Sequence, residues 1–335
     1  MLHNYSFYAI IYANNMHKIH KEDCFMKKIF IDGSAGTTGL RIFDRLEKRK
    51  NIELITLSEE KRKDPAARKE ALNQADVAFL CLPDDAARQA VSMIENDNTV
   101  VIDTSTAHRT NDDFAYGFPE LSALHEQKII NSKRIAVPGC HASGFIALIY
   151  PLIEANILNK DALLSCFSLT GYSGGGKKMI AEYESADKSE LLFAPRQYGI
   201  SQQHKHLKEM KAITGIENAP VFSPVVDDFY SGMQVSVPLF KKQLNDNKTI
   251  DDIKKVYKQK YNGPVVNYCE TIDEGGLIST ATLSSKDSMK ISVCGNDERI
   301  VLVAVYDNLG KGASGAAVEC LNLVTGEDKT LGLDL

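Results

Sequence analysis

Between Lys28 and Cys140, short β-rich apolar runs recur only after intervals long enough for a helix, at 29–32, 52–57, 77–82, 100–103 and 135–137. Strands this short and apolar throughout are buried on both faces, and strands joined through a helix-length crossover lie parallel. The intervals agree: 40–46 sets apolar residues at helical spacing among charged ones, as a helix covering a sheet requires. The first part of the chain therefore predicts a doubly wound α/β domain of Rossmann type.

After Cys140 the pattern changes. An apolar helix is expected around 145–150, then long alternating runs such as 233–238 and 300–306, which predict a mainly antiparallel sheet. A lysine-rich helix near 250–261 and a last helix over 313–323 complete an α+β second domain. A chain of 335 residues, 44% hydrophobic and 25% charged, is long enough for two such cores.

The net charge of -5 offers no general attraction to nucleic acid or to an anionic membrane, so a small-molecule partner is expected. No apolar run approaches the roughly 20 residues that span a bilayer. Seven cysteines, at 24, 81, 140, 166, 269, 294 and 320, include no CxxC pair and read as reduced thiols of a cytoplasmic protein. Residues 1–25 lack a basic segment leading into an apolar core and are not read as a signal peptide. They are expected to be a dispensable, disordered extension or the product of an upstream start, with Met26 leading straight into the first strand.

Gly33-Ser34-Ala35-Gly36-Thr37-Thr38-Gly39 follows that strand and opens the first helix. Glycines there permit a tight turn and close approach of a pyrophosphate to backbone N–H groups, although the spacing is GxxGxxG rather than GxGxxG. A structural turn is the alternative. At the end of the second run, Ser58 stands where an acid binding a ribose diol would be expected, and Lys61, Arg62 and Lys63 follow, which favours NADP(H) over NAD. A solvated charged loop would look the same.

The stretch Val137-Pro138-Gly139-Cys140-His141-Ala142-Ser143-Gly144 places one cysteine between a strand and a helix. A helix N-terminus stabilises a thiolate, and its N–H groups suit an oxyanion, so Cys140 is the candidate nucleophile; a buried apolar cysteine is the plain alternative. Candidate bases are His204 and His206. If both were on a helix they would point about 200° apart, so one would act as acid/base while Glu209 oriented the other. No metal site is expected, because the pair lacks a third ligand of suitable spacing. Arg109, after the carboxyl end of the fourth strand, would clamp a phosphate or carboxylate. The run 171–178, with Ser173, Gly174 and Lys177, reads as a flexible loop offering N–H groups and a cation, or as a simple surface loop.

Together with Asp307-Asn308-Leu309-Gly310-Lys311-Gly312-Ala313-Ser314-Gly315-Ala316-Ala317, these strings resemble, in order and spacing, the N-acetyl-gamma-glutamyl-phosphate reductase family in its shorter type 2 form. The resemblance runs from Met26 to the C-terminus. It implies NADPH-dependent reduction of N-acetyl-L-glutamyl 5-phosphate to N-acetyl-L-glutamate 5-semialdehyde and phosphate, through a thioacyl intermediate on Cys140. It places the His204/His206 pair as acid/base, with His204 favoured, and Arg109, Ser173, Gly174 and Lys177 near substrate. Asn308 would lie near the nicotinamide, and Ser58 and Ser105 are expected among the cofactor-binding residues. It also implies a discontinuous cofactor domain of 26–140 plus 308–330, a catalytic domain of 141–307, and a homodimer or homotetramer. Three rivals remain: an aspartate-semialdehyde dehydrogenase, a non-catalytic NADP-binding sensor and a cysteine hydrolase.

Overall fold

The protein is described here by a computed structural model covering residues 26–335. The expected extension and Cys24 lie outside the described residues.

β1 (Lys27–Asp32), β2 (Ile52–Ile55), β3 (Val77–Leu80), β4 (Val100–Asp103), β5 (Ala115–Tyr116) and β6 (Arg134–Ala136) form one parallel sheet in the order β2-β1-β3-β4-β6-β5. Alternation along each strand divides the side chains between two faces. Ile29, Ile31, Val77, Phe79 and Ile102 pack with α1 (Thr37–Leu46), α4 (Ala123–Asn131) and the last helix, α9 (Gly315–Thr325). Phe30, Ala78, Leu80 and Val101 pack on the other side with α2 (Pro65–Gln74) and α3 (Asp84–Ser92). The sheet is therefore doubly wound, as the sequence implies. Two strands end earlier than their apolar runs, at Ile55 and Leu80, because the chain beyond them turns to line a cleft. The two-residue β5 is too short to leave a pattern.

The second sheet contains β7 (Ser165–Gly171), β8 (Arg196–Gln197), β9 (Val221–Asp227), β10 (Met233–Phe240), β11 (Val266–Tyr268), β12 (Met289–Gly295) and β13 (Arg299–Tyr306). Their order is β11-β12-β13-β10-β7-β9-β8, antiparallel except for β11 with β12 and β7 with β9. One face packs on α5 (Cys140–Glu154) and α8 (Ile250–Lys260), with Phe145, Leu148 and Leu152 against Val235, Ile291 and Leu302. Pro151 inside α5 has no N–H for the Ala147 carbonyl; the Tyr261 hydroxyl donates to that oxygen at 2.7 Å and meets the need. The expected flexible loop over 171–178 is instead a 3-10 turn, Tyr172–Gly175, running into α6 (Gly176–Glu184). The last contributor to the site is α7 (His206–Thr214), packed beside α5.

Candidate active site

The glycine turn after β1 is shaped by close approach. Gly33 has φ +90°, and a Cβ on it would lie 2.3 Å from the Cys81 carbonyl oxygen; one on Gly39 would lie 2.4 Å from the Gly33 carbonyl oxygen. Gly36 caps α1 with no side-chain hydrogen bond, so the first-turn N–H groups are available to an anion. Two cavities meet at this turn. One, of about 370 Å³, is lined by Gly33, Ser34, Ala35 and Leu57 and by the basic pair Arg62 and Lys63. The other, about 730 Å³, runs from Gly36, Thr37, Thr38 and Gly39 past Ser105 to Cys140. A two-lobed crevice with a glycine cradle at its waist and cations at one end fits a phosphorylated dinucleotide. Ser58 lines neither lobe; its carbonyl accepts the N–H groups of Lys61 and Arg62, both at 3.0 Å, closing the turn that carries the cations.

Cys140 is the first residue of α5, and the turn before it permits only glycine at 139. A Cβ there would lie 2.3 Å from Arg109 Nη1 and 2.4 Å from His206 Nε2. A guanidinium and an imidazole are thus packed onto the residue preceding the thiol. The Tyr306 hydroxyl donates to the Cys140 carbonyl at 2.5 Å and accepts the Gly144 N–H at 3.0 Å, inserting itself into the first helical turn. Burial pushes the Cys140 thiol up to about 11; Arg109 and the His141 backbone N–H pull it down, and Glu209 pushes it further up. The helix start alone does not ionise it, so a base is required.

Arg109 is buried and held by three of its five N–H groups: Nε donates to the Val137 carbonyl at 2.8 Å, Nη2 to the Thr104 carbonyl at 2.9 Å, and Nη1 to Glu209 at 3.1 Å. The remaining donors belong to a residue that lines the cleft, where an anion would meet them. Glu209 does not orient a histidine, as the helix argument expects. It accepts Arg109, the Tyr116 hydroxyl and the Gly139 N–H, because it lies one turn inside α7, facing the cofactor side of the cleft.

His204 precedes α7 rather than lying on it, which removes the 200° constraint: the two rings are 4.7 Å apart and both line the cleft. His204 Nδ1 accepts the His206 N–H at 3.3 Å, which leaves its Nε2 to carry the proton of the neutral ring. His206 is buried with Nδ1 unpartnered, and burial with Arg109 nearby holds its pKa well below the usual imidazole value. It is a neutral ring, and it is His206, not the favoured His204, that contacts Gly139.

The remaining expected residues divide. Asn308 and Gly174 line the cleft, and Asn308 is fixed by the Gly232 N–H at 3.0 Å and by donating to Ser173 Oγ at 3.0 Å. Ser173 is fully buried and supports Asn308 instead of lining the cleft. Lys177 is exposed on the first turn of α6, away from the lining. Ser105 lines the cleft with its hydroxyl donated to Asp103 at 2.8 Å. Sequence reasoning missed Tyr198, Tyr116, Tyr306 and His141.

Residues 28–129 match the family described as "Semialdehyde dehydrogenase, NAD binding domain", and residues 140–308 match "Semialdehyde dehydrogenase, dimerisation domain". A protein named N-acetyl-gamma-glutamyl-phosphate reductase from Sinorhizobium medicae is 44% identical over 304 residues, spanning 89% of this chain and 98% of its own. N-acetyl-gamma-glutamyl-phosphate reductase 2 from a Nostoc species is 41% identical over 320 residues, 91% of this chain and 99% of its own. Among solved structures, aspartate semialdehyde dehydrogenase II from Vibrio cholerae superposes with a TM-score of 0.69 at 17% identity, covering 90% of this chain and 98% of that one. At that identity the likeness speaks for the fold alone, whereas the relatives above 40% identity match over nearly their whole length. The chain therefore belongs to the N-acetyl-gamma-glutamyl-phosphate reductase family, within the semialdehyde dehydrogenases.

Proposed function

We propose that this chain catalyses the NADPH-dependent reduction of N-acetyl-L-glutamyl 5-phosphate to N-acetyl-L-glutamate 5-semialdehyde and phosphate, in arginine biosynthesis in the cytoplasm. The observation that carries the reading is the convergence of Cys140, Arg109 and His206 on Gly139, at the inner end of a dinucleotide-shaped crevice. Arg62 and Lys63 supply the cations a 2′-phosphate needs. Residues 26–140 plus 308–330 form the cofactor domain and 141–307 the catalytic domain, a division supported by the packing of α9 on the parallel sheet.

In the mechanism, His206 takes the Cys140 proton, and the resulting imidazolium and thiolate stabilise each other where neither would be stable alone. The sulfur adds to the acyl phosphate carbonyl and the C–O bond to phosphate breaks, the leaving charge falling on the free N–H groups of Arg109. A thioester remains on Cys140. A nicotinamide dinucleotide held by the glycine cradle, Arg62 and Lys63 would supply the hydride that reduces it. First-turn N–H groups of α5 hold the new oxyanion, with His204 Nε2–H as a hydrogen-bond donor to it, until its electron pair re-forms the carbonyl, the C–S bond breaks and aldehyde leaves Cys140 as the thiolate. Ser105, Gly174 and Asn308 position the reacting partners.

The chain acts as a homo-oligomer. Phe167, Val221 and Phe240 are exposed and share, by register, the face of the second sheet opposite α5; a second copy covers them. The test of the whole reading is NADP⁺ reduction with N-acetylglutamate semialdehyde or aspartate semialdehyde, with and without phosphate. The expected result is phosphate-dependent turnover with the acetylated aldehyde. Turnover with aspartate semialdehyde alone, or none with either, overturns it.

A further inference from the structure

His141 follows the nucleophile and is buried, yet it has no part in the mechanism above. Its Nδ1 lies 2.7 Å from Ser168 Oγ on β7 and its Nε2 lies 2.5 Å from the Tyr198 hydroxyl. Burial and the neighbouring His204 bring its pKa down to about 3, so at neutral pH the ring carries one proton. Ser168 decides where. Ser168 is fully buried, and among the described residues its hydroxyl has no hydrogen-bond partner other than Nδ1. A hydroxyl proton with no acceptor would cost about 1–3 kcal/mol, so Ser168 donates and Nδ1 accepts. The ring proton is then on Nε2 and is donated to the Tyr198 oxygen.

Tyr198 is left holding a proton that its only described partner does not accept. The tyrosine lines the same cleft as Cys140, His204 and His206. A hydroxyl that accepts from one side is a stronger donor on the other.

We propose that Tyr198 is a catalytic residue whose hydroxyl, set by the relay Ser168 to His141 to Tyr198, donates a hydrogen bond to the carbonyl oxygen that becomes an oxyanion when Cys140 adds to it. His141 is the positioning residue that fixes the direction of the donation. No bond other than hydrogen bonds is made or broken in the relay. The assignment rests on the acyl-transfer reading of the site, since a cleft that never holds a carbonyl has no use for such a donor.

Two measurements test it. ¹⁵N NMR of the histidine-labelled protein, with His141 assigned by its loss in His141→Gln, reads the tautomer without any turnover: the Nε2–H form is expected, and the Nδ1–H form overturns the relay even if the protein is fully active. In the phosphate-dependent assay, Tyr198→Phe is expected to lose about 100-fold in kcat with KM for aldehyde and NADPH affinity unchanged. His141→Leu is expected to lose nearly as much, His141→Gln less, and the Tyr198→Phe/His141→Leu double variant no more than Tyr198→Phe alone. Unchanged kcat, a loss confined to KM, or additive losses overturn the proposal. Absence of phosphate-dependent turnover in the unsubstituted protein would instead overturn the function it rests on.

Discussion

Glu209 Oε1 accepts the backbone N–H of Gly139 at 2.8 Å, so a carboxylate on α7 holds the turn that presents the nucleophile. The same carboxylate group binds Arg109 and Tyr116, both from the cofactor side of the cleft. One buried acid therefore sets the distance between the thiol, the anion-binding guanidinium and the histidine one turn earlier on its own helix.

Replacing Glu209 separates its electrostatic role from its structural one. Glu209→Gln keeps an acceptor for Gly139 but removes a negative charge that raises the Cys140 pKa. The alkylation rate of Cys140 at pH 8 is expected to rise severalfold. Glu209→Ala leaves the Arg109 charge buried without its partner and is expected to cost about 3 kcal/mol in denaturant unfolding.

In the protein without substrate, Cys140 is a thiol. With its pKa raised to about 11, the thiolate fraction grows about tenfold per pH unit. Iodoacetamide labelling at Cys140, read by peptide mass spectrometry, is expected to accelerate steadily from pH 7 to 9. A plateau below pH 8 would mean that the helix start and Arg109 outweigh burial.

Gly139→Ala brings a methyl group within 2.4 Å of both Arg109 Nη1 and His206 Nε2. The parallel sheet and the glycine cradle lie elsewhere, so NADPH binding measured by fluorescence is expected to persist. Turnover is expected to fall about 100-fold or more, since small displacements of aligned groups have that effect.

His141 and His206 are buried with depressed pKa values, so the unfolded chain binds protons that the folded chain does not. Their neutral burial costs nothing above the unfolded value of about 6.5. Below it, each lowers stability by about 1.4 kcal/mol per pH unit until its folded pKa is reached. Denaturant midpoints at pH 7.5 and 5.5 are expected to differ accordingly, and His206→Asn is expected to weaken the dependence.

Arg62→Ala and Lys63→Ala test the cofactor choice. Each removes a cation from the smaller lobe of the crevice, and about a tenfold rise in KM for NADPH is expected, with KM for NADH little changed.

Apart from β5, the parallel sheet was legible because its strands are apolar runs separated by intervals long enough for a helix. The cradle was legible from its glycines between a strand and a helix, although the crowding that requires Gly33 comes from the distant Cys81 carbonyl and only that at Gly39 is local. His204 and His206 were found as residues but not as geometry, since nothing in their spacing shows that α7 begins at His206. Glu209 was seen beside the wrong partner for the same reason. Tyr116, Tyr198 and Tyr306 reach Cys140 or its supports from far along the chain, and a lone tyrosine carries no pattern. Ser58 and Lys177 show the opposite error, polar residues in suggestive positions whose side chains line no part of the crevice.

The central claim, a covalent thioester on Cys140, is tested most directly by mixing the protein with N-acetylglutamate semialdehyde and NADP⁺ without phosphate and measuring intact mass. Oxidation then stops at the acyl-enzyme for want of an acceptor. The account predicts one hydroxylamine-labile acyl group per chain, mapped to Cys140 and absent from Cys140→Ser. Phosphate-dependent turnover with no adduct on Cys140, or turnover retained in Cys140→Ser, would contradict it.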